Sequence, residues 1–425
     1  MYTLIGMGGS GKVYDIGNGE AEKKIHISRK GRLQRFYGHH QRNAGEDGLN
    51  VDIQRYTGDS LHVGTGNEIV SIALSEQDHQ NLYRYAKEVT IGSFFTQAQQ
   101  DKTPFHTIHA PKCTELLGYT LRLDEHGFLY GVLRQPLVQG NLLEQYNEFR
   151  RLQETNRQKA IDVLSTLEQH ITRRHALHIV NELAETMLYL HRNGIMYLDA
   201  KPANTFVDTG IVDGRITPII RFLDFGSSHI NGGFRNLGKG KHPLTDFAID
   251  ATLLRIIEEQ EQRDPFLDAT PAYAPPSYFL GDKSVDVDNW SFAVMATEFL
   301  SGMHLIHELR DYPAHDTASR DVIMKRFVRS TRNGWMHARQ QEYFKDIYAK
   351  IGSWFPEDGT RDIVETLLGF GKNEKTDHRL ADLQKRFVYL INDETRTELD
   401  EPFFALGKGD ASATLHDGEM PLYTE

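Results

Sequence analysis

Tyr197-Leu198-Asp199-Ala200-Lys201-Pro202-Ala203-Asn204, followed by Phe222-Leu223-Asp224-Phe225-Gly226, is the stretch on which the reading of this chain turns. Asp199, Lys201 and Asn204 set a carboxylate, an ammonium and an amide within six residues, and a second carboxylate, Asp224, stands before a Phe-Gly turn. Upstream, His175 to Arg192 carries Leu177, Ile179, Val180, Leu183, Ala184, Met187, Leu188 and Leu190, close to a 3.6-residue period, which predicts a buried helix. The polar cluster therefore leaves the end of a rigid core element.

Around this centre the chain divides in two. Short strand-like runs punctuated by glycine occupy residues 2–27, with Gly17-Asn18-Gly19 as a hairpin signal. Residues 28–67 are polar and glycine-dotted and read as an insertion or long loop, residues 76–100 as a helix, and Leu116–Leu123 and Phe128–Leu133 as strands. From about Leu142 the periodicity is helical. The expected class is α+β, with a β-rich N-terminal part and a larger helical C-terminal part.

The bulk numbers narrow the function. At 425 residues and 39% hydrophobic content the chain carries enough apolar material for two lobes. A net charge of −11 excludes nucleic-acid binding as the main activity. The single cysteine, Cys113, precludes an internal disulfide and suits a reducing compartment. There is no run of 18 apolar residues and no basic-then-apolar leader, so no membrane span and a cytoplasmic location are expected.

Near the N-terminus, Gly6-Met7-Gly8-Gly9-Ser10-Gly11-Lys12-Val13 fits G-x-G-x-x-G-x-V between two predicted strands. Glycines let backbone N–H groups lie directly over phosphates. An ordinary glycine turn, a dinucleotide fingerprint and a P-loop compete with that reading; the last two need a helix straight after the loop, and Val13 replaces the P-loop hydroxyl. On the next strand Ala21, Lys23 and Ile25 share one face, a small residue and a cation suited to a flat ring and its phosphates, while Lys24 points away; taken alone, either lysine reads equally as a solvated strand residue.

Asp199-x-Lys201-Pro202-x-Asn204 followed by Asp224-Phe225-Gly226 resembles the catalytic loop and metal-binding motif of eukaryotic-like Ser/Thr protein kinases. The resemblance implies a bilobal fold: an N-lobe at 1–137 with an insertion at about 28–75, a C-lobe at 138–393 with an activation segment at 224–277, and an acidic tail at 394–425. It implies ATP and Mg²⁺ as cofactors and a protein substrate. By resemblance, Asp199 orients and deprotonates the attacking hydroxyl, Lys201 sits near the transferred phosphate, and Asn204 and Asp224 hold the metal. Gly6, Gly8, Gly11 and Val13 would cover the nucleotide. Ala21, Leu133, Gln135 and Leu137 would line the adenine site, at a hinge running to Gln139-Gly140-Asn141-Leu142. Lys23 would hold the outer phosphates, partnered by Glu88 (or Glu76). Thr270-Pro271-Ala272-Tyr273 resembles the end of an activation segment, and Asp288-Asn289-Trp290 the helix whose aspartate ties down the catalytic loop.

The chain departs from the family at several points. Tyr197-Leu198 stands where His-Arg is usual, removing the arginine that receives a phosphorylated residue, so activity independent of activation-loop phosphorylation is expected. The Ala-Pro-Glu element is replaced by Pro275-Pro276-Ser277, leaving Arg379 without its usual glutamate. Insertions are expected at 231–268, with a basic-then-acidic run from Lys239 to Glu261, and at 146–172. The basic stretch Lys23–Arg42 would meet an acidic partner or a lipid headgroup, or else form a plain solvated loop. Two other functions stand beside the kinase reading: a small-molecule phosphotransferase on the same fold, against which Lys201-Pro202 and Thr270–Tyr273 speak, and a kinase-like scaffold or altered transferase such as an adenylylating enzyme. Large insertions and atypical motifs also fit an effector delivered into a host cell.

Overall fold

The computed structural model of the chain describes residues 3–8, 11–45, 47–100, 113–138, 172–212, 215–230, 250–263, 269–301 (without 271, 276, 279 and 280), 379–393, 395 and 397. The hinge residues from Gln139 onward, most of the 231–268 and 146–172 insertions, and nearly all of the 394–425 tail lie outside them.

The N-terminal part is an eight-stranded antiparallel sheet. Its strands are β1 (Thr3–Gly8), β2 (Gly11–Gly17), β3 (Glu20–Arg29), β4 (Leu49–Tyr56), β5 (Ser60–Thr65), β6 (Glu68–Ala73), β7 (Gly118–Leu123) and β8 (Phe128–Pro136), in the order β1-β2-β3-β8-β7-β4-β5-β6. The turn between β2 and β3 is Asn18-Gly19, with φ of 58° and 74°, the two positive angles that match the twist of a tight hairpin. A hairpin, not a helix, follows the glycine loop, which removes the dinucleotide-fingerprint and P-loop readings.

The long loop expected over residues 28–67 is corrected by the structure. β3 runs on to Arg29, α1 (Gly31–His40) follows, and β4 to β6 form a meander that widens the sheet beyond β7. Leu49, Val51 and Tyr56 in β4 and Leu61 and Val63 in β5 are buried, a near period-2 pattern overshadowed by the surrounding glycines and charges. The basic stretch is also partly internal. Lys23 is buried, Lys24 pairs with Glu22, and Lys30 reaches Asp78.

Helix α2 (Glu76–Gln100), at the expected position, packs on the sheet. It comes close enough at Tyr85 that a Cβ on Gly131 would lie 2.2 Å from the ring. Substituting Gly131 would force helix and sheet apart, and α2 is the element that carries Glu88.

The helical part contains α3 (Arg173–Arg192), α4 (Ala251–Arg263), α5 (Val285–Ser301) and α6 (Arg379–Asn392). Thr172 caps α3 with a reciprocal His175 contact, and Arg174 Nη1 donates to Ile391 O at 2.6 Å, pinning the end of α6. Eleven residues of α3 are buried, and α5 is buried almost throughout, so these helices form the rigid base. Two two-residue strands, β9 (Ile195–Met196) and β12 (His229–Ile230), pair antiparallel, and between them in sequence lies the hairpin of β10 (Thr205–Val212) and β11 (Arg215–Phe222). That hairpin brings the Asp199 loop and Asp224 together. Among the described residues, no helix is long and apolar enough to cross a membrane.

Candidate active site

Sheet register sets the N-terminal half of the site. Gly6 pairs with Val13, Val13 with Lys23, and Lys23 with Leu133, so these four form one row across β1, β2, β3 and β8; Ala21 pairs with Gln135 two positions along, on the same face. Gly8 pairs with Gly11 at the tip. Gly11 has φ of 141°, and a Cβ there would sit 2.4 Å from Lys24 O, so no other residue fits. The Leu137 N–H donates to Gly19 O at 2.7 Å, tying the end of β8 to the β2–β3 turn.

Lys23 Nζ lies 2.9 Å from Glu88 Oε1 and 3.0 Å from Oε2, and 3.1 Å from Asp224 Oδ1. One buried ammonium thus joins the sheet, α2 and the Asp-Phe-Gly turn. Burial works against its charge, but the Asp224 and Glu88 carboxylates outweigh it and hold the Lys23 pKa above its ordinary value. Burial pushes Glu88 up to about 7, against the pull of Lys23 and helped by Asp224, because two carboxylates share one cation. Glu76, the alternative partner, opens α2 three turns earlier. Asp224 itself adopts the left-handed conformation (φ 59°, ψ 76°) and accepts from Gly226 N at 3.3 Å.

The other half surrounds Asp199. Its Oδ1 accepts from the Thr270 N–H and hydroxyl, both at 2.9 Å; its Oδ2 accepts from Asn204 Nδ2 and Lys201 Nζ, both at 2.8 Å. Lys201 Nζ also donates to Thr270 Oγ1 at 2.6 Å. Burial raises the Asp199 pKa, with Lys201 opposing, which makes the carboxylate a better proton acceptor than a solvated one. The loop is braced from below. Asp288 Oδ2 accepts from Tyr197 N and Oδ1 from Leu198 N, both at 2.7 Å, and His191 Nε2 lies 2.9 Å from Oδ2. Leu198 is fully buried at φ 64°, a conformation costing a non-glycine residue roughly 1 kcal/mol or more, which these two bonds offset.

A search of family models matches the protein kinase domain over residues 142–374, more than half of the chain. The chain belongs to the protein kinase family. A search of curated proteins gives no match. The family match begins after the sheet, so for this kinase the glycine loop, Lys23 and Glu88 rest on the geometry above.

Lys23, Glu88 and Asp224 come together in one cluster, and Asp199, Lys201 and Asn204 in a second. Three contributors escaped the sequence reading. Thr270 was noted only as part of a segment end, although it binds Asp199 across 71 residues. Arg84, one turn before Glu88, faces the charges of Asp224, Glu88 and Asp199, and its spacing of four from Glu88 was a usable signal. Tyr197 takes the place of the family histidine: its ring stacks on Phe222 at 4.6 Å and meets Phe225 edge-on, and its hydroxyl donates to Leu223 O. An aromatic residue with a hydroxyl at that position was the signal for this role.

Proposed function

We propose that this kinase transfers the γ-phosphate of ATP to serine or threonine hydroxyls of a protein, without needing a phosphorylated activation segment. The observation that carries the reading is that both halves of the site are assembled together. Lys23 bridges Glu88 and Asp224 while Asp199 is held by Lys201, Asn204 and Thr270.

In this reading Asp199 orients the substrate hydroxyl and takes its proton as the oxygen forms its bond to phosphorus and the bond to ADP breaks. Lys201, beside Asp199, offsets charge on the transferred group, and Lys23 holds the outer phosphates. Val13, Ala21 and Leu133, on the face that carries Lys23, offer apolar side chains for adenine. The Asp224 carboxylate and the Asn204 amide oxygen, the Asn204 N–H being spent on Asp199, are hard oxygen donors that would hold Mg²⁺. When bound, Mg²⁺ would offset phosphate charge and align the chain of phosphates. Leu198 places no guanidinium where a phosphorylated residue would dock, which supports phosphorylation-independent activity.

Mass spectrometry of a protein substrate incubated with ATP and Mg²⁺ tests the proposal. Phosphate on serine or threonine is expected. A nucleotide adduct, modification only on tyrosine, or turnover of small alcohols without protein labelling would overturn it.

A further inference from the structure

Helix α4 lies inside the activation segment, at the acidic end of its insertion, and the site described above makes no use of it. Leu253, Ile256, Ile257 and Gln260 are buried along one stripe of this helix. The stripe is packed against α2, with further contacts to β4. At the polar end of the stripe, Gln260 Nε2 donates to Tyr56 Oη on β4 at 3.2 Å and lies 3.0 Å from His79 Nδ1 on α2. Glu261 Oε1 accepts from Tyr83 Oη on α2 at 3.2 Å and lies 3.0 Å from His229 Nδ1. His229 belongs to β12, which pairs with β9 immediately before the catalytic loop.

The contacts on α2 fall at His79, Tyr83 and Lys87, four residues apart and so on one face. The third of them is Lys87 Nζ donating to Ser228 O at 2.9 Å. Held at three successive turns, twice by α4 and once by the carbonyl just before β12, α2 is restrained against rotation about its axis and sliding along it. Glu88, next to Lys87, is thereby aimed at Lys23. A single oxygen, Glu261 Oε1, joins α2 to the strand that follows the Asp-Phe-Gly turn. Burial opposes the charge of Glu261, but its bond to His229 and the Lys283 and Lys87 cations hold its pKa below the ordinary glutamate value, so the joint is ionised near neutrality.

We propose that Gln260 and Glu261 are positioning residues for phosphoryl transfer: the kinase carries, within its own activation segment, the anchor that holds α2 and its Glu88 in the productive place. The proposal rests on the kinase reading, and its test separates the two. The Gln260→Ala/Glu261→Ala protein is compared with wild type by hydrogen exchange at the α2 amides and by kcat for phosphate transfer. Exchange over residues 79–90 is expected to rise about tenfold while β7 and β8 stay protected. The kcat is expected to fall by about tenfold or more. In a Glu88→Ala background the same double change should cost nothing further, because it acts through Glu88. Glu261→Gln, which keeps an acceptor for Tyr83, should rescue most of the loss, and Tyr83→Phe, which removes only the donor, should reproduce part of it if the double variant does not fold. Unchanged α2 exchange, or losses that simply add to those of Glu88→Ala, overturn the proposal. A wild-type protein that transfers no phosphate overturns the kinase reading instead, and the exchange result then decides by itself whether α4 holds α2.

Discussion

Thr270 donates twice to a single oxygen of Asp199, through its backbone N–H and through its hydroxyl, each at 2.9 Å. The end of the activation segment is thereby locked to the carboxylate assigned as proton acceptor. Thr270→Val keeps the shape and the backbone bond but deletes the hydroxyl, which also accepts from Lys201. A fall in kcat of about 10–100-fold is expected, with Thr270→Ser close to wild type. Steady-state kinetics on the two variants checks this, and equal rates would contradict it.

Asp288 is fully buried and accepts from Tyr197 N, Leu198 N and the His191 ring. Asp288→Asn turns one oxygen into a donor facing a donor and leaves the left-handed Leu198 backbone without its brace. A loss of roughly 2–4 kcal/mol is expected in urea unfolding. A loss within 0.5 kcal/mol, the ordinary scatter of surface changes, would show that the loop holds itself.

Lys87 is buried between Ser228 O and the Tyr83 ring, and burial holds its pKa well below 10.5, with Glu261 opposing. The unfolded chain therefore binds a proton that the folded chain gives up earlier. Stability should rise with pH in the window between the folded pKa of Lys87 and 10.5. Lys87→Met should lack that rise. Urea melts of both proteins from pH 7 upward read the slope difference; parallel curves would contradict the burial argument.

Leu198, fully buried, occupies the position where the family has a phosphate-receiving arginine. Phosphatase-treated protein should retain its phosphotransfer rate within about twofold. A loss restored by phosphorylation within residues 227–270 would show that another cation receives the phosphate.

The Asp199–Asn204 cluster was legible because its residues are close in sequence. Asp199, Lys201 and Asn204 lie within one loop, and the buried helix that precedes them shows a near-3.6-residue period. Glu88 was legible at one remove, from a helix period and a strand-borne lysine in need of a partner. The contacts that lock the site were not. Thr270 meets Asp199, and Gln260 meets His79 across 181 residues, only after the chain has folded, and threonine and glutamine carry no signature of their own. The β4–β6 meander was obscured for a different reason: its buried alternation is short, broken at Ile53–Arg55, and flanked by glycine turns that read as loop. The β10–β11 hairpin was also passed over, although its alternating apolar residues flank an Asp-Gly pair.

The most direct test of the central claim is phosphate transfer from γ-labelled ATP with Mg²⁺ by wild type, Asp199→Ala and Asp224→Ala side by side. The account predicts label on serine and threonine of a protein acceptor with wild type, and a loss of about 100-fold or more with either variant. An Asp199→Ala protein that labels at the wild-type rate, or a wild type that binds ATP and labels nothing, would contradict it.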